Sequence, residues 1–200
     1  MSNREAIIGR VCRAKPSGEG LALPAQVPPA AGQDLQAVFA RELEKLQGEL
    51  IRAATMEEAR EQLARLVPPD GRPWFVAERP MAAELAEGLA VERVGHERLA
   101  DCQASVTQAE YVIADTATVG LRLDATQPRA CHLLAEVHVV VAPLEGMLTT
   151  LAEALVDLER RGELPTAFVF VTGPSRTADI EKTLVIPAHG PKQLVAVLVG

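Results

Sequence analysis

Apolar residues recur every three or four positions in two stretches of the first half of the chain, a spacing that predicts two amphipathic helices. The first stripe follows Asp34 and predicts a helix that ends near Gly48. The second follows Thr55, a residue type common at helix N-caps, and Pro68-Pro69-Asp70-Gly71 ends it. Shorter apolar patches then predict a strand at 74–77, a helix at 81–88 and a strand at 91–94.

Continuous runs of β-branched and other apolar residues in the second half predict buried strands. These runs are residues 111–114, 119–123, 137–142, 167–171 and a last strand that reaches Val199. Residues 144–160 predict a long helix, and Gly162 stands at its C-cap position. Buried strands that alternate with helices indicate an α/β fold, with an open, mostly parallel or mixed sheet and helices on both faces.

The N-terminal segment, residues 1–32, differs in composition from the rest. Residues 3–13 predict a weak amphipathic helix, and residues 14–32 contain four prolines and three glycines, which predicts an extended arm. Residues 33–200 are then expected to form a single α/β domain.

Charge and composition narrow the function classes. The formal net charge of −7 argues against nucleic-acid binding, which needs clustered lysine and arginine. The N-terminus lacks a signal-peptide pattern, and no apolar run approaches the roughly 18 residues that span a bilayer. The three cysteines are isolated, which fits a reducing compartment and excludes a cluster held by these cysteines alone. We therefore expect a cytoplasmic protein without a metal of its own.

The first candidate site is the turn Thr172-Gly173-Pro174-Ser175 after a buried strand. If a helix starts near Thr177, its free N–H groups, the Ser175 and Thr177 hydroxyls and the Arg176 guanidinium would suit a carboxylate or phosphate. The alternative is a structural turn in which Thr177 caps the helix and Arg176 pairs with Asp179.

Two further polar positions are candidates. His189, before Gly190-Pro191, suits a general base or hydrogen-bond partner, or a turn histidine bonded to a carbonyl. Asp115-Thr116, at a strand end, could face the same space as Ser175, or form an Asx-type turn between adjacent strands. His138, inside a valine run, is expected to be a satisfied interior or edge residue. A triad of Ser175, His189 and Asp179 is disfavoured because the GxSxG elbow is absent.

The run from Thr172 to Glu181, with His189-Gly190-Pro191 after it, resembles the lactate-utilization protein C family (the LUD domain). The stretches AEYVIADTATVGLRLD and VHVVVAP also resemble the family's strands and turn, so the resemblance covers residues 34–199. One departure is Ala117, which stands where the family's turn has glycine. If that position needs a positive φ, alanine is strained there.

The resemblance implies a fold similar to ribose-phosphate isomerase and CoA-transferase-like sheets. It also implies a role in oxidation of L-lactate to pyruvate beside partner proteins that carry iron–sulfur clusters, with no cofactor on this chain. We expect an accessory or ligand-binding subunit; the alternatives are a free-standing transferase or isomerase for a CoA thioester or sugar phosphate, and a non-catalytic scaffold. The expected ligand-binding residues are Gly173, Ser175, Arg176, Thr177, Asp179, His189, Asp115 and Thr116.

Overall fold

The computed structural model describes residues 34–162, 165, 167–174, 177–178, 184–185 and 190–200. The helices in this part are α1 Leu35–Lys45, α2 Met56–Leu66, α3 Pro80–Ala86 and α4 Leu151–Arg161, and 3₁₀ segments lie at His96–Asp101 and Arg129–His132. The strands are β1 Glu49–Ala53, β2 Trp74–Val76, β3 Arg93–Val94, β4 Ala104–Gln108, β5 Tyr111–Ile113, β6 Thr118–Leu123, β7 Val137–Pro143, β8 Ala167–Thr172, β9 Thr177–Ala178, β10 Leu184–Val185 and β11 Gln193–Val199.

The main sheet has six strands in the order β1-β11-β7-β4-β2-β3, and every neighbouring pair is parallel. Strand β7, the VHVVVA run, lies near its centre and is buried along all residues but its last. A strand covered on both faces needs such a continuous apolar sequence. The predicted α/β class with a mostly parallel sheet is confirmed.

A second, antiparallel sheet of order β5-β6-β8 packs as a separate layer. Val119 and Leu121 of β6 belong to the large core that also contains the main sheet. Tyr111 and Phe168 form a smaller cluster with buried residues of α4, among them Leu158. The small sheet is therefore enclosed between the main core and α4, a second layer that the single predicted sheet did not include.

Capping residues set the helix ends that the sequence pattern indicated. Asp34 accepts hydrogen bonds from the first backbone N–H groups of α1. Thr55 accepts from the N–H of Glu58, and the Glu58 carboxylate accepts from the N–H of Ala54, a reciprocal pair that fixes the start of α2. Gly162 ends α4 with a left-handed φ of 68°.

The predicted helix over 144–160 is too long, because α4 begins only at Leu151. The segment before it extends the small sheet instead. The N–H of Leu148 donates to the Val112 carbonyl at 2.8 Å, and the Leu148 carbonyl accepts from the N–H of Ala114 at 2.9 Å. Thr150 then caps α4 by accepting from the N–H of Glu153.

Three other local predictions were wrong. Thr177 does not start a helix: Thr177–Ala178 is β9, and its pairing with β10 satisfies backbone groups that a helix would bond internally. The first helix stops at Lys45, three residues before the predicted end near Gly48, and β1 follows it. Strand β4 was missed because buried Ser105 and Thr107 interrupt its apolar pattern. The predicted N-terminal helix and arm, residues 1–32, lie outside the described residues.

Candidate functional site

A cleft of about 570 Å³ separates the main sheet from the small sheet. His138 and Leu194 line it from the main sheet, and residues 169–171 line it from β8. Two turns stand beside them, Gly173-Pro174 and Gly190-Pro191. These are the described parts of the two polar motifs singled out in the sequence, and the fold brings them to one cavity.

The cleft lies at the amino-terminal end of the main sheet. His138 is the second residue of β7, and Leu194 is the second residue of β11. Open α/β sheets usually bind ligands beyond the carboxyl ends of their strands. Here a cleft forms at the amino end because β8 of the small sheet lies opposite His138 and Leu194 and supplies its second wall.

His138 is buried, with only 1% of its surface exposed. Its Nε2 lies 2.9 Å from the Thr107 hydroxyl, while its Nδ1 has no hydrogen-bond partner among the described residues. Burial, and secondarily the nearby His132, lowers the pKa of His138 to about 3. The imidazole is therefore neutral at pH 7, and the expectation of a fully satisfied histidine was wrong at Nδ1.

His132 lies at the end of the second 3₁₀ segment, with its ring centre 6.5 Å from that of His138. Its buried Nδ1 likewise has no partner among the described residues, and burial lowers its pKa. The Ser105 hydroxyl of β4 donates to the Cys131 carbonyl and so holds this segment against the main sheet. Two neutral imidazoles with unmet hydrogen-bonding capacity thus lie at one wall of the cleft.

Metal binding has no support in the described part of the chain. No group of three or more histidine, cysteine or acidic side chains there is arranged to hold an ion. Cys102 and Cys131 are free and buried, and burial raises the pKa of the Cys131 thiol to about 12. That thiol is therefore protonated and a poor metal ligand at neutral pH.

The predicted site residues Asp115 and Thr116 lie in the turn that joins β5 to β6. The Thr116 hydroxyl donates to the Asp115 carboxylate at 3.1 Å, and the Thr118 hydroxyl donates to the Thr116 hydroxyl at 2.9 Å. Thr118 is also 2.6 Å from the Thr172 hydroxyl, across the β6–β8 register. The turn is thus joined to Thr172, the residue immediately before Gly173.

This turn also contains a backbone feature expected from the sequence. Ala117 has φ of 48°, in the left-handed region that glycine adopts without cost. The alanine is nevertheless fully buried in the core. The turn therefore keeps its shape at the cost of local backbone strain.

The other predicted site residues fall into two groups. Gly173 lines the cleft with φ of 78°, and the backbone of Thr177 is in β9. Ser175, Arg176, Asp179 and His189 lie outside the described residues, so their grouping stays a prediction. His132 and His138 were not among the predicted site residues, although a histidine within a run of valines was a usable signal at His138.

A second, smaller cavity of about 230 Å³ lies at the carboxyl end of β4. Arg122 makes a bidentate pair with Glu110 at 2.8 and 3.0 Å, and Arg79 pairs with Asp124 at 2.6 Å. Gln127 is buried and bonded at both ends of its amide group, to backbone atoms of β4 and β6. The polar side chains of this cavity are thus already bonded to one another or to the backbone.

The family model of the LUD domain matches residues 37–199, from α1 to the end of β11. The chain belongs to the LUD domain family. The resemblance predicted from the Thr172–Glu181 and His189-Gly190-Pro191 motifs is thereby confirmed. Within the described residues of this LUD domain, no helix has the length and apolar character needed to cross a bilayer.

Two curated relatives carry the name lactate utilization protein C. The protein of Geobacillus kaustophilus (strain HTA426) is 30% identical over 95 residues, which are 46% of this chain and 40% of that protein. The protein of Bacillus pumilus (strain SAFR-032) is 34% identical over 107 residues, 51% of this chain and 45% of that protein. The matched segments thus span less than half the length of either relative.

A solved structure shares the fold of this LUD domain. It is a DUF162 family protein from Deinococcus radiodurans, with a TM-score of 0.63 and 21% sequence identity. The similarity covers 83% of this chain and 96% of that chain. At this identity the likeness concerns the fold alone.

Proposed function

We propose that this LUD domain is a ligand-binding component of a lactate-utilization system, and that the cleft between its two sheets binds a small 2-hydroxycarboxylate. The name shared by its curated relatives supports the system. The observation that carries the site is the cleft itself, which is lined by the turns of both polar motifs and by His132 and His138, whose buried Nδ1 atoms have no hydrogen-bond partner among the described residues.

The parts of a 2-hydroxycarboxylate match the types of group around the cleft. A hydroxyl both donates and accepts, so it suits either tautomer of a neutral imidazole. The carboxylate is assigned to Ser175, Arg176 and Thr177, because a guanidinium binds a carboxylate in bidentate fashion. Oxidation to pyruvate is assigned to iron–sulfur partner proteins, with this chain holding the ligand.

Calorimetric titration of the purified chain with L-lactate, pyruvate and propionate tests the binding step. We expect L-lactate to bind, and Arg176→Ala with Ser175→Ala to weaken it at least tenfold, the worth of a charge-assisted hydrogen bond. Arg65→Ala, an exposed arginine on α2, is the matched control and should bind normally. If none of the three acids binds, the proposal that the cleft holds a small 2-hydroxycarboxylate is wrong.

The assignment to a lactate system is tested separately in the native host. Affinity purification of the tagged chain from cells grown on lactate should recover cysteine-rich iron–sulfur proteins and lactate-oxidising activity. A deletion strain that grows on lactate as well as its parent would contradict the assignment. Turnover of a CoA thioester or a sugar phosphate by the chain alone would favour the free-standing enzyme instead.

A further inference from the structure

The cleft is larger than lactate requires. Lactate has roughly six heavy atoms. If each takes about 30 Å³, the volume that one water molecule occupies in the liquid, lactate fills about 180 Å³. The cleft measures about 570 Å³. A ligand that fills the cavity therefore has a body well beyond a three-carbon acid.

The described residues that line the cleft indicate the chemical character of that larger body. Leu133, Leu134, Val169, Val171 and Leu194 are apolar, and no described residue of the lining bears a charged side chain. An apolar wall gains free energy by excluding water, at a rate proportional to the area covered. The body of the ligand is therefore hydrocarbon, with polar groups confined to one end.

The polar end of the cavity is at the histidines. Nδ1 of His138 is buried and no residue in the described part of the chain bonds to it, and the same holds for Nδ1 of His132, whose ring centre is 6.5 Å away. A buried nitrogen without a partner costs free energy that a bound hydroxyl restores. The other nitrogen of His138 is held at 2.9 Å by Thr107, so the ring is oriented before a ligand arrives.

We propose that the cleft binds a 2-hydroxycarboxylate whose side chain is longer than the methyl group of lactate, with its hydroxyl on His138 and its hydrocarbon along Leu194 and β8. This inference rests on the proposed function and specifies its ligand class. His138 is a specificity residue in this account: it selects the hydroxyl, while the apolar wall selects the chain.

Calorimetry with a graded series on the full chain tests the proposal, using L-lactate, L-2-hydroxybutyrate and L-2-hydroxyhexanoate, with hexanoate as the deoxy control. Each added methylene should tighten binding about fourfold, so 2-hydroxyhexanoate, with three more methylenes, should bind about sixtyfold more tightly than lactate. Hexanoate should bind about tenfold more weakly than its 2-hydroxy analogue.

Two variants separate the two ends of the ligand. His138→Phe should abolish the preference for 2-hydroxyhexanoate over hexanoate, and His96→Phe, an exposed histidine outside the cleft, should retain it. Val169→Phe occupies the apolar part and should flatten the chain-length series while the hydroxyl preference remains. Thermal unfolding of each variant establishes that it is folded before titration.

The outcomes are distinct. Equal affinity for lactate and 2-hydroxyhexanoate would overturn this inference and leave the proposed function standing. Equal affinity of the wild-type chain for hexanoate and 2-hydroxyhexanoate would overturn the role of His138, without reliance on any variant. Failure of every acid in the series to bind would overturn the proposed ligand as well.

Discussion

In the cavity at the carboxyl end of β4, Arg122, Glu110 and Gln127 are bonded to neighbouring groups. In the cleft between the sheets, by contrast, His132 and His138 each retain a nitrogen to which none of the described residues bonds. The first cavity is the more polar of the two, and charge alone would have suggested it as the site. Its side chains, however, already form hydrogen bonds to other groups of the protein. Unmet hydrogen bonding in a buried position is the better indicator of a ligand site.

The largest expected effect concerns Gln127 in the carboxyl-end cavity. Its amide donates to the carbonyls of Gln108 and Arg122 at 3.2 and 3.1 Å and accepts from the N–H of Gln108 at 2.9 Å. Gln127→Ala leaves these buried groups unpaired and should lower the free energy of unfolding by about 3 kcal/mol. Urea denaturation measures the loss, and ligand affinity should not change.

Gln62→Ala, a glutamine of α2 whose hydrogen bonds are exposed to solvent, is the matched control and should lower the free energy of unfolding by less than about 1 kcal/mol. If Gln127→Ala instead weakened binding without destabilising the chain, the carboxyl-end cavity would be a ligand site and the comparison between the two cavities would be reversed.

An intermediate effect is expected from pH at the cleft. In the unfolded chain His138 titrates near its ordinary pKa of about 6.5, while burial lowers its folded pKa to about 3. Between these values the unfolded state binds the proton and the folded state does not. The free energy of unfolding should therefore fall as pH decreases below about 6.5, by about 1 kcal/mol per pH unit from this residue.

Above pH 6.5 this histidine should contribute no slope, because it is neutral in both states. Urea denaturation of the wild-type chain and His138→Phe between pH 5 and 8 isolates the contribution. The difference between the two proteins should shrink as the pH falls, and an equal slope in both would show that His138 is protonated in the fold.

The smallest expected effect is at Ala117, in the turn linked to Thr172 beside the cleft. Ala117→Gly removes the conformational cost of a non-glycine residue in the left-handed region, about 1 kcal/mol. It also raises the conformational entropy of the unfolded chain and removes a buried methyl group, and both changes destabilise the fold. These contributions nearly cancel, so the midpoint of urea denaturation should barely move. A gain above about 1 kcal/mol would show that backbone strain dominates this turn.

Most of the fold was predictable because its signals are local. Asp34, Thr55 and Gly162 cap helices as their residue types predict, and the VHVVVA run forms a strand in the middle of the main sheet. Strand β4 was not predictable, because Ser105 and Thr107 are buried through hydrogen bonds to groups far along the chain. The start of α4 was misjudged because Leu148 pairs with the small sheet.

The α/β class, the family and the two Gly-Pro turns follow from the order of residues alone, since each depends on residue types at short spacing. The cleft does not, because it arises where β8 of a second sheet comes to lie opposite His138 and Leu194 of the main sheet. The partner of His138 Nε2 is 31 positions away in the chain, and its Nδ1 lacks one because no described neighbour reaches it. A missing hydrogen-bond partner is a property of three-dimensional packing, which no local pattern of residues records.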